Sequence, residues 1–181
     1  TNTNQQHYSG QAQLSYLSQM TGIVGLQVIT PMMGLALVVA TLRAFFYQRP
    51  SHIAADVAEQ PDQILIGNYW ADVIRPTVRF LLPLCFVWSL LLNSQGVPAT
   101  FQGGPEIQLI DKANTVQTQK IPLGPVAPMV AIKQLGSNGG GWYGPNSSVP
   151  LENPTPFSNL LEMIAILLIP ITVIFMVGHF T

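Results

Sequence analysis

The residues best suited to chemistry in this chain are five in a row, Ser137, Asn138, Gly139, Gly140 and Gly141, closed by Trp142 and Tyr143. None of the five is charged. What they offer is oxygen: a hydroxyl, an amide and a succession of backbone carbonyls. Carbonyls along a strand face one way only where some residues take φ values closed to ordinary side chains, which glycine allows. Such a row of oxygens replaces the hydration shell of a bare cation. In front of the run stands Pro125–Leu135, an apolar segment too short to cross a bilayer. Pro125 or Pro128 suits a first helical turn, where a missing N–H does no harm. Gly136 suits the end of such a helix. A helix placed there aims the partial negative charge of its C-terminus at a cation. A flexible exterior loop is the other reading of the glycines. A phosphate cradle fits less well, because G-x-G-x-x-G spacing and a following Lys-Ser/Thr pair are both missing. The short apolar segment before the run and a full span after it favour the ion-coordinating loop.

An internal repeat supports that reading. Thr1, Asn2, Thr3 and Asn4 align with Ser137–Gly140, and Leu14–Met20 aligns with Phe157–Met163, each leading into a long apolar run. The unit is helix, pore loop, helix, and the chain holds the end of one copy and nearly all of the next. Repetition of this kind implies strands converging on one axis.

The elements that must position these strands are set by composition. Charged residues make up 8% of the 181 residues and apolar ones 48%, against about 25% charged in soluble domains. The mean hydropathy is +0.35. A net charge of −1 without a basic run gives no case for a nucleic-acid partner, and one cysteine excludes an internal disulfide. The expected setting is a lipid bilayer. Three runs are long enough to span, at about Ile23–Tyr47, Val73–Leu92 and from Phe157 onward. The fold expected is thus all-α and integral to the membrane, with three transmembrane helices and one re-entrant pore helix. Its segments are 1–10 (end of a first filter loop), 11–48 (second helix of the first module), 49–72 (connection), 73–94 (first helix of the second module), 95–124 (polar, turn-rich exterior loop), 125–156 (pore helix, filter and following loop) and 157–181 (closing helix). Arg43, Arg49, Arg75 and Arg79 cluster on the 49–72 side, which the positive-inside rule puts in the cytoplasm, with Tyr69 and Trp70 at the inner interface. Lys133 is expected to point outward, to headgroups or a carboxylate, and Glu162 to sit at a helix end at the interface.

Taken together, several stretches resemble the A subunit of the bacterial Kdp potassium pump. They are Thr-Asn-Thr-Asn-x-Gln-His-Tyr-Ser-Gly at 1–10, Leu14–Met20, Gly67-Asn68-x-Trp70-x-Asp72-x-x-Arg75, and Gly124–Ala127. They continue with Ala131-Ile132-Lys133-x-Leu135-Gly136-x-Asn138–Gly141, Asn146–Ser148 and Pro150-x-Glu152–Thr155. Members of that family are longer, with four such modules around one pore. The resemblance implies a potassium-binding and translocating subunit of an ATP-driven uptake complex in the bacterial inner membrane. Thr1, Asn2, Thr3, Asn4 and Gln6 on one strand, and Ser137, Asn138, Gly139, Gly140 and Gly141 on the other, would coordinate dehydrated potassium. No cofactor is implied, and no catalytic residue of its own. ATP hydrolysis would belong to a P-type ATPase catalytic subunit, with small accessory Kdp subunits as further partners. Departures from the family pattern surround the filter but spare its glycines: Gln5 for tryptophan beside the first run, Pro128–Val130 for Ser-Gln-Glu, Val149 for histidine, and Gly144-Pro145 in the turn after the second. A channel or ion-coupled transporter built from the same module, and a fragment that only packs against partner helices, are the alternatives.

Overall fold

Apolar runs set the frame. A computed structural model, which describes residues 9–46, 66–110, 118–144 and 146–180, has three helices long and apolar enough to cross a membrane. After a single turn, α1 (Gly10–Gln13), the first long helix α2 runs over Tyr16–Phe45. It begins seven residues before the apolar run at Ile23, because Ser15 caps it: the Ser15 hydroxyl accepts from the Ser18 N–H at 3.2 Å. A π-helical stretch at Gln19–Val24 follows before regular α geometry sets in.

The second long helix, α3, spans Tyr69–Ser94. Asn68 caps it, accepting from Ala71 N at 3.1 Å, so it too starts earlier than the hydropathy at Val73 implies. Arg75 and Arg79 lie on its exposed side. The ends of α2 and α3 are tied by Arg43, which grips Asp72 with both guanidinium nitrogens (Nη2 to Oδ1, 3.2 Å) and reaches the Ile66 carbonyl at 3.2 Å. Gly67, at φ +87°, lets the chain pass under that guanidinium, where a Cβ would collide with it.

The connection read as a turn-rich loop contains an antiparallel hairpin, β1 (Glu106–Gln108) with β2 (Thr118–Lys120), so the chain is mostly helical rather than strictly all-α. The short helix α4 (Val126–Leu135) follows, and then α5 (Pro156–Phe180). Thr155 and Ser158 cap α5 reciprocally, Ser158 N to Thr155 Oγ1 at 2.9 Å and Thr155 N to Ser158 Oγ at 3.0 Å. Pro156 takes the first helical position, where its fixed φ is already helical.

Where α4 sits decides the architecture. Its first free N–H groups, Val126 and Ala127, both donate to the Pro98 carbonyl at 3.0 and 2.9 Å, so it starts beside the C-terminal end of α3. Its last residues, Ile132 and Leu135, pack with Met32, Leu81 and Ala165, residues well inside the three long helices. Ten residues rise about 15 Å, half of a ~30 Å hydrocarbon layer. The chain then returns: Trp142 and Tyr143 pack with Leu92, Val97 and Val126, back at the level where α4 began. The helix enters the bundle to its middle, and the glycine strand climbs out again. Eight of the ten α4 residues are buried, whereas only 11–17% of the most apolar stretch of each long helix is. The long helices therefore keep broad apolar faces, with Leu37, Leu90 and Phe175 more than half exposed, as lipid or neighbouring helices require.

Candidate ion-coordinating site

The exit from α4 is fixed by backbone bonding. Ser137 N donates to the Gln134 carbonyl and Asn138 N to that of Lys133, both at 3.0 Å, which closes the helix through a left-handed residue. That residue is Ser137, at φ +54°, and not Gly136, whose φ is −80°. Gly136 is needed for space instead: a Cβ there would meet Ile132 O and Pro31 Cγ at 3.0 Å and overlap the Asn138 amide. Left-handed geometry recurs at Gly139 (φ +71°) and Gly140 (φ +86°), where side-chain-bearing residues are strained.

Each wall of the strand comes from a different helix. On one side stands α2, whose Pro31 has no N–H, so the Gln27 carbonyl one turn earlier lacks its regular donor. Asn138 Nδ2 supplies the replacement, donating to Gln27 O at 2.8 Å. Thr30 Oγ1 lies 2.8 Å from Asn138 Oδ1, and Gln27 Nε2 donates to the Gly139 carbonyl at 3.1 Å. The strand's asparagine is thus seated in the gap that the proline leaves. On the other side, Ser137 Oγ donates to Ile166 O of α5 at 3.1 Å.

Beyond the glycines the chain is anchored by a buried carboxylate. Glu152 Oε1 accepts from the N–H groups of Trp142 and of Tyr143 (3.3 Å), and its Oε2 lies 3.7 Å from Lys133 Nζ. Both side chains of this ion pair are essentially inaccessible, at 0% and 1%. Lys133 also donates to Ser147 Oγ, and Gln134 bonds Glu162. Lys133 thus meets a carboxylate, one of the two partners expected of it, but points inward to do so, because that carboxylate and a hydroxyl from the loop 146–152 lie inside the protein. Glu162 likewise is 4% exposed and faces Gln134, in place of the interfacial position its sequence context implied. Trp142 completes the wall, its ring 5.4 Å from that of Tyr16, whose hydroxyl bonds Leu123 O. Tyr143 donates to Pro122 O at 2.7 Å, and burial with Glu152 nearby pushes its phenol above the ordinary value.

Of the residues singled out in the sequence, Ser137, Asn138, Gly139, Gly140 and Gly141 run as one irregular stretch, referred to as the strand, from the end of α4 between α2 and α5. Thr1, Asn2, Thr3, Asn4 and Gln6 lie outside the described residues. Sequence reasoning missed Gln27, Thr30 and Glu152. The helix-breaking Pro31 was the available signal for the first two, since a proline inside a membrane helix frees a carbonyl that something must satisfy.

The family model described as "Potassium-transporting ATPase A subunit" matches residues 1–181. Curated relatives include potassium-transporting ATPase potassium-binding subunits of Pseudomonas putida (44% identical over 99% of this chain), Clostridium perfringens (45% over 99%) and Listeria monocytogenes (43% over 99%). The chain spans 29–30% of the length of these relatives. A match along its full length, with three membrane-length helices, places the chain in the potassium-transporting ATPase A subunit family.

Proposed function

We propose that this chain is part of the potassium-binding and translocating subunit of an ATP-driven uptake complex in the bacterial inner membrane. In this reading α4 is a pore helix, and Ser137–Gly141 are one filter strand. The observation that carries it is the strand's origin: it leaves the C-terminal end of a buried half-length helix in the middle of the bundle. There the helix end presents partial negative charge to a cation, and the left-handed Gly139 and Gly140 give the segment carbonyl directions that side-chain-bearing residues rarely adopt. The relatives' names, potassium-binding subunits of a potassium-transporting ATPase, supply the ion and the energy source. Thr1, Asn2, Thr3, Asn4 and Gln6 would form the neighbouring strand of the same filter. Energy would come from ATP hydrolysed on a separate P-type subunit, with small accessory subunits completing the assembly. This chain selects and passes the ion, with no cofactor and no catalytic residue of its own.

The test uses the complete gene product in potassium-starved cells lacking other uptake systems. Uptake should require the coexpressed ATPase subunit and should discriminate potassium from rubidium. Undiminished uptake without that subunit and without ATP would replace the pump with a channel or ion-coupled transporter.

A further inference from the structure

The ion pair Lys133–Glu152 is the only salt bridge with both partners fully buried among the described residues, and the filter reading gives it no task. Its geometry does. The Trp142 N–H belongs to the same peptide plane as the Gly141 carbonyl, and in a trans peptide the two point in opposite directions. No cis peptide occurs among the described residues. A carboxylate that holds the Trp142 N–H therefore turns the Gly141 carbonyl directly away from itself. By accepting from Tyr143 N as well, at 3.3 Å, Glu152 fixes the next peptide too, whose Trp142 carbonyl packs against Gly10 of α1. Close approach is possible only because Gly141 has no side chain: a Cβ would stand 2.7 and 2.8 Å from the two carboxylate oxygens and 2.5 Å from Gly144 O.

A lone carboxylate behind a row of carbonyls would itself compete for cations. Lys133 removes that competition with its ammonium 3.7 Å away, and it does so from α4, the helix that delivers the strand.

We propose that Glu152 is a positioning residue for ion selection: it orients the Gly141 carbonyl at the outer end of the strand, while Lys133 neutralises it so that it does not bind the ion itself. The inference rests on the reading of Ser137–Gly141 as ion-coordinating.

The test is made in the assembled complex, with the apparent KM for potassium and the potassium/rubidium ratio as readouts and copurification of the partner subunits as the folding control. Two double variants share charge balance: E152Q/K133M keeps an oxygen for the two N–H groups, and E152A/K133M removes it together with the side chain's volume, for which E152D controls. We expect E152Q/K133M to stay within about threefold of the unmodified complex. E152A/K133M should raise KM about tenfold and flatten the rubidium discrimination. E152D, which keeps the charge but withdraws it by one methylene, should shift discrimination in the same direction and serves if the alanine variant does not assemble. Equal ion ratios in both doubles, or in E152D and the unmodified complex, would overturn the proposal. Gly140→Ala separates the two levels. If it alters the ion ratio while the Glu152 variants do not, only the positioning role falls. If it too leaves the ratio unchanged, the filter reading falls with it.

Discussion

Asn138→Ala is the perturbation whose outcome the structure specifies most tightly. In the folded chain the Asn138 amide fills the donor position that Pro31 vacates, bonding Gln27 O at 2.8 Å, and both residues are about 5% exposed. Truncation leaves a buried carbonyl with neither its helical donor nor a substitute, which costs about 1–3 kcal/mol. The loss is local, so it should appear as easier opening of the strand. Hydrogen exchange of peptides covering residues 136–144, followed by mass spectrometry on the assembled complex in lipid nanodiscs, reads that opening free energy directly. A loss of about 1–3 kcal/mol corresponds to exchange faster by about 5- to 150-fold. The second arm carries the mechanism. Pro31→Ala restores the N–H, so Gln27 regains a donor within its own helix, and Asn138→Ala in that background should accelerate exchange much less. The two substitutions should therefore be coupled by about 1 kcal/mol or more, against the ~0.5 kcal/mol scatter of independent sites. Unchanged exchange in Asn138→Ala, or equal acceleration with and without Pro31, would refute the account of Asn138 as the proline's substitute donor.

Three further outcomes are expected. Thr30→Val, which keeps shape but removes the hydroxyl 2.8 Å from Asn138 Oδ1, should loosen the same segment by about 1 kcal/mol, or roughly fivefold in exchange. Trp142→Ala should cost about 3–5 kcal/mol in the stability of the assembled complex. Trp142→Phe should cost clearly less, because the buried indole N–H has no hydrogen-bond partner among the described residues and its removal strands no acceptor. Asp72→Asn should lower stability by about 1 kcal/mol or less, since Arg43 and Asp72 keep 31% and 20% of their side chains accessible. A melt that responds to that substitution in low salt but not in high salt would bear this out; a loss as large as that of Trp142→Ala would contradict it.

Much of the frame was legible in the sequence because long uncharged runs have few soluble alternatives, and the three long helices lie where those runs are. The starts of the first two were misplaced by seven and four residues for a single reason, whereas the third begins within one residue of Phe157. Capping by Ser15 and Asn68 sets a helix start, and hydropathy does not register it. The hairpin escaped notice because all six of its residues are exposed, which leaves no apolar alternation to read. The inward turn of Lys133 and Glu162 was hidden for a different reason. A charge on an apolar helix reads as outward-facing unless its partner is known, and Glu152 approaches from a loop with no periodicity to announce it. Pro31 was visible as a break, but not that the carbonyl it frees, Gln27 O, is bonded by a residue 111 positions further on.

That separation has a consequence for how the protein is made. Synthesis proceeds at roughly 5–20 residues per second, so α2 is complete and inserted about 5–20 s before Asn138 leaves the ribosome. For that interval the Gln27 carbonyl sits in the bilayer without the donor it will finally have, in a setting where an unmatched polar group costs several kcal/mol. The nascent helix must borrow a substitute, from water, from a neighbouring side chain or from the insertion machinery, and then exchange it for the asparagine. The proline gap thereby orders biogenesis: an early helix is left chemically unfinished until a strand synthesised much later arrives to complete it.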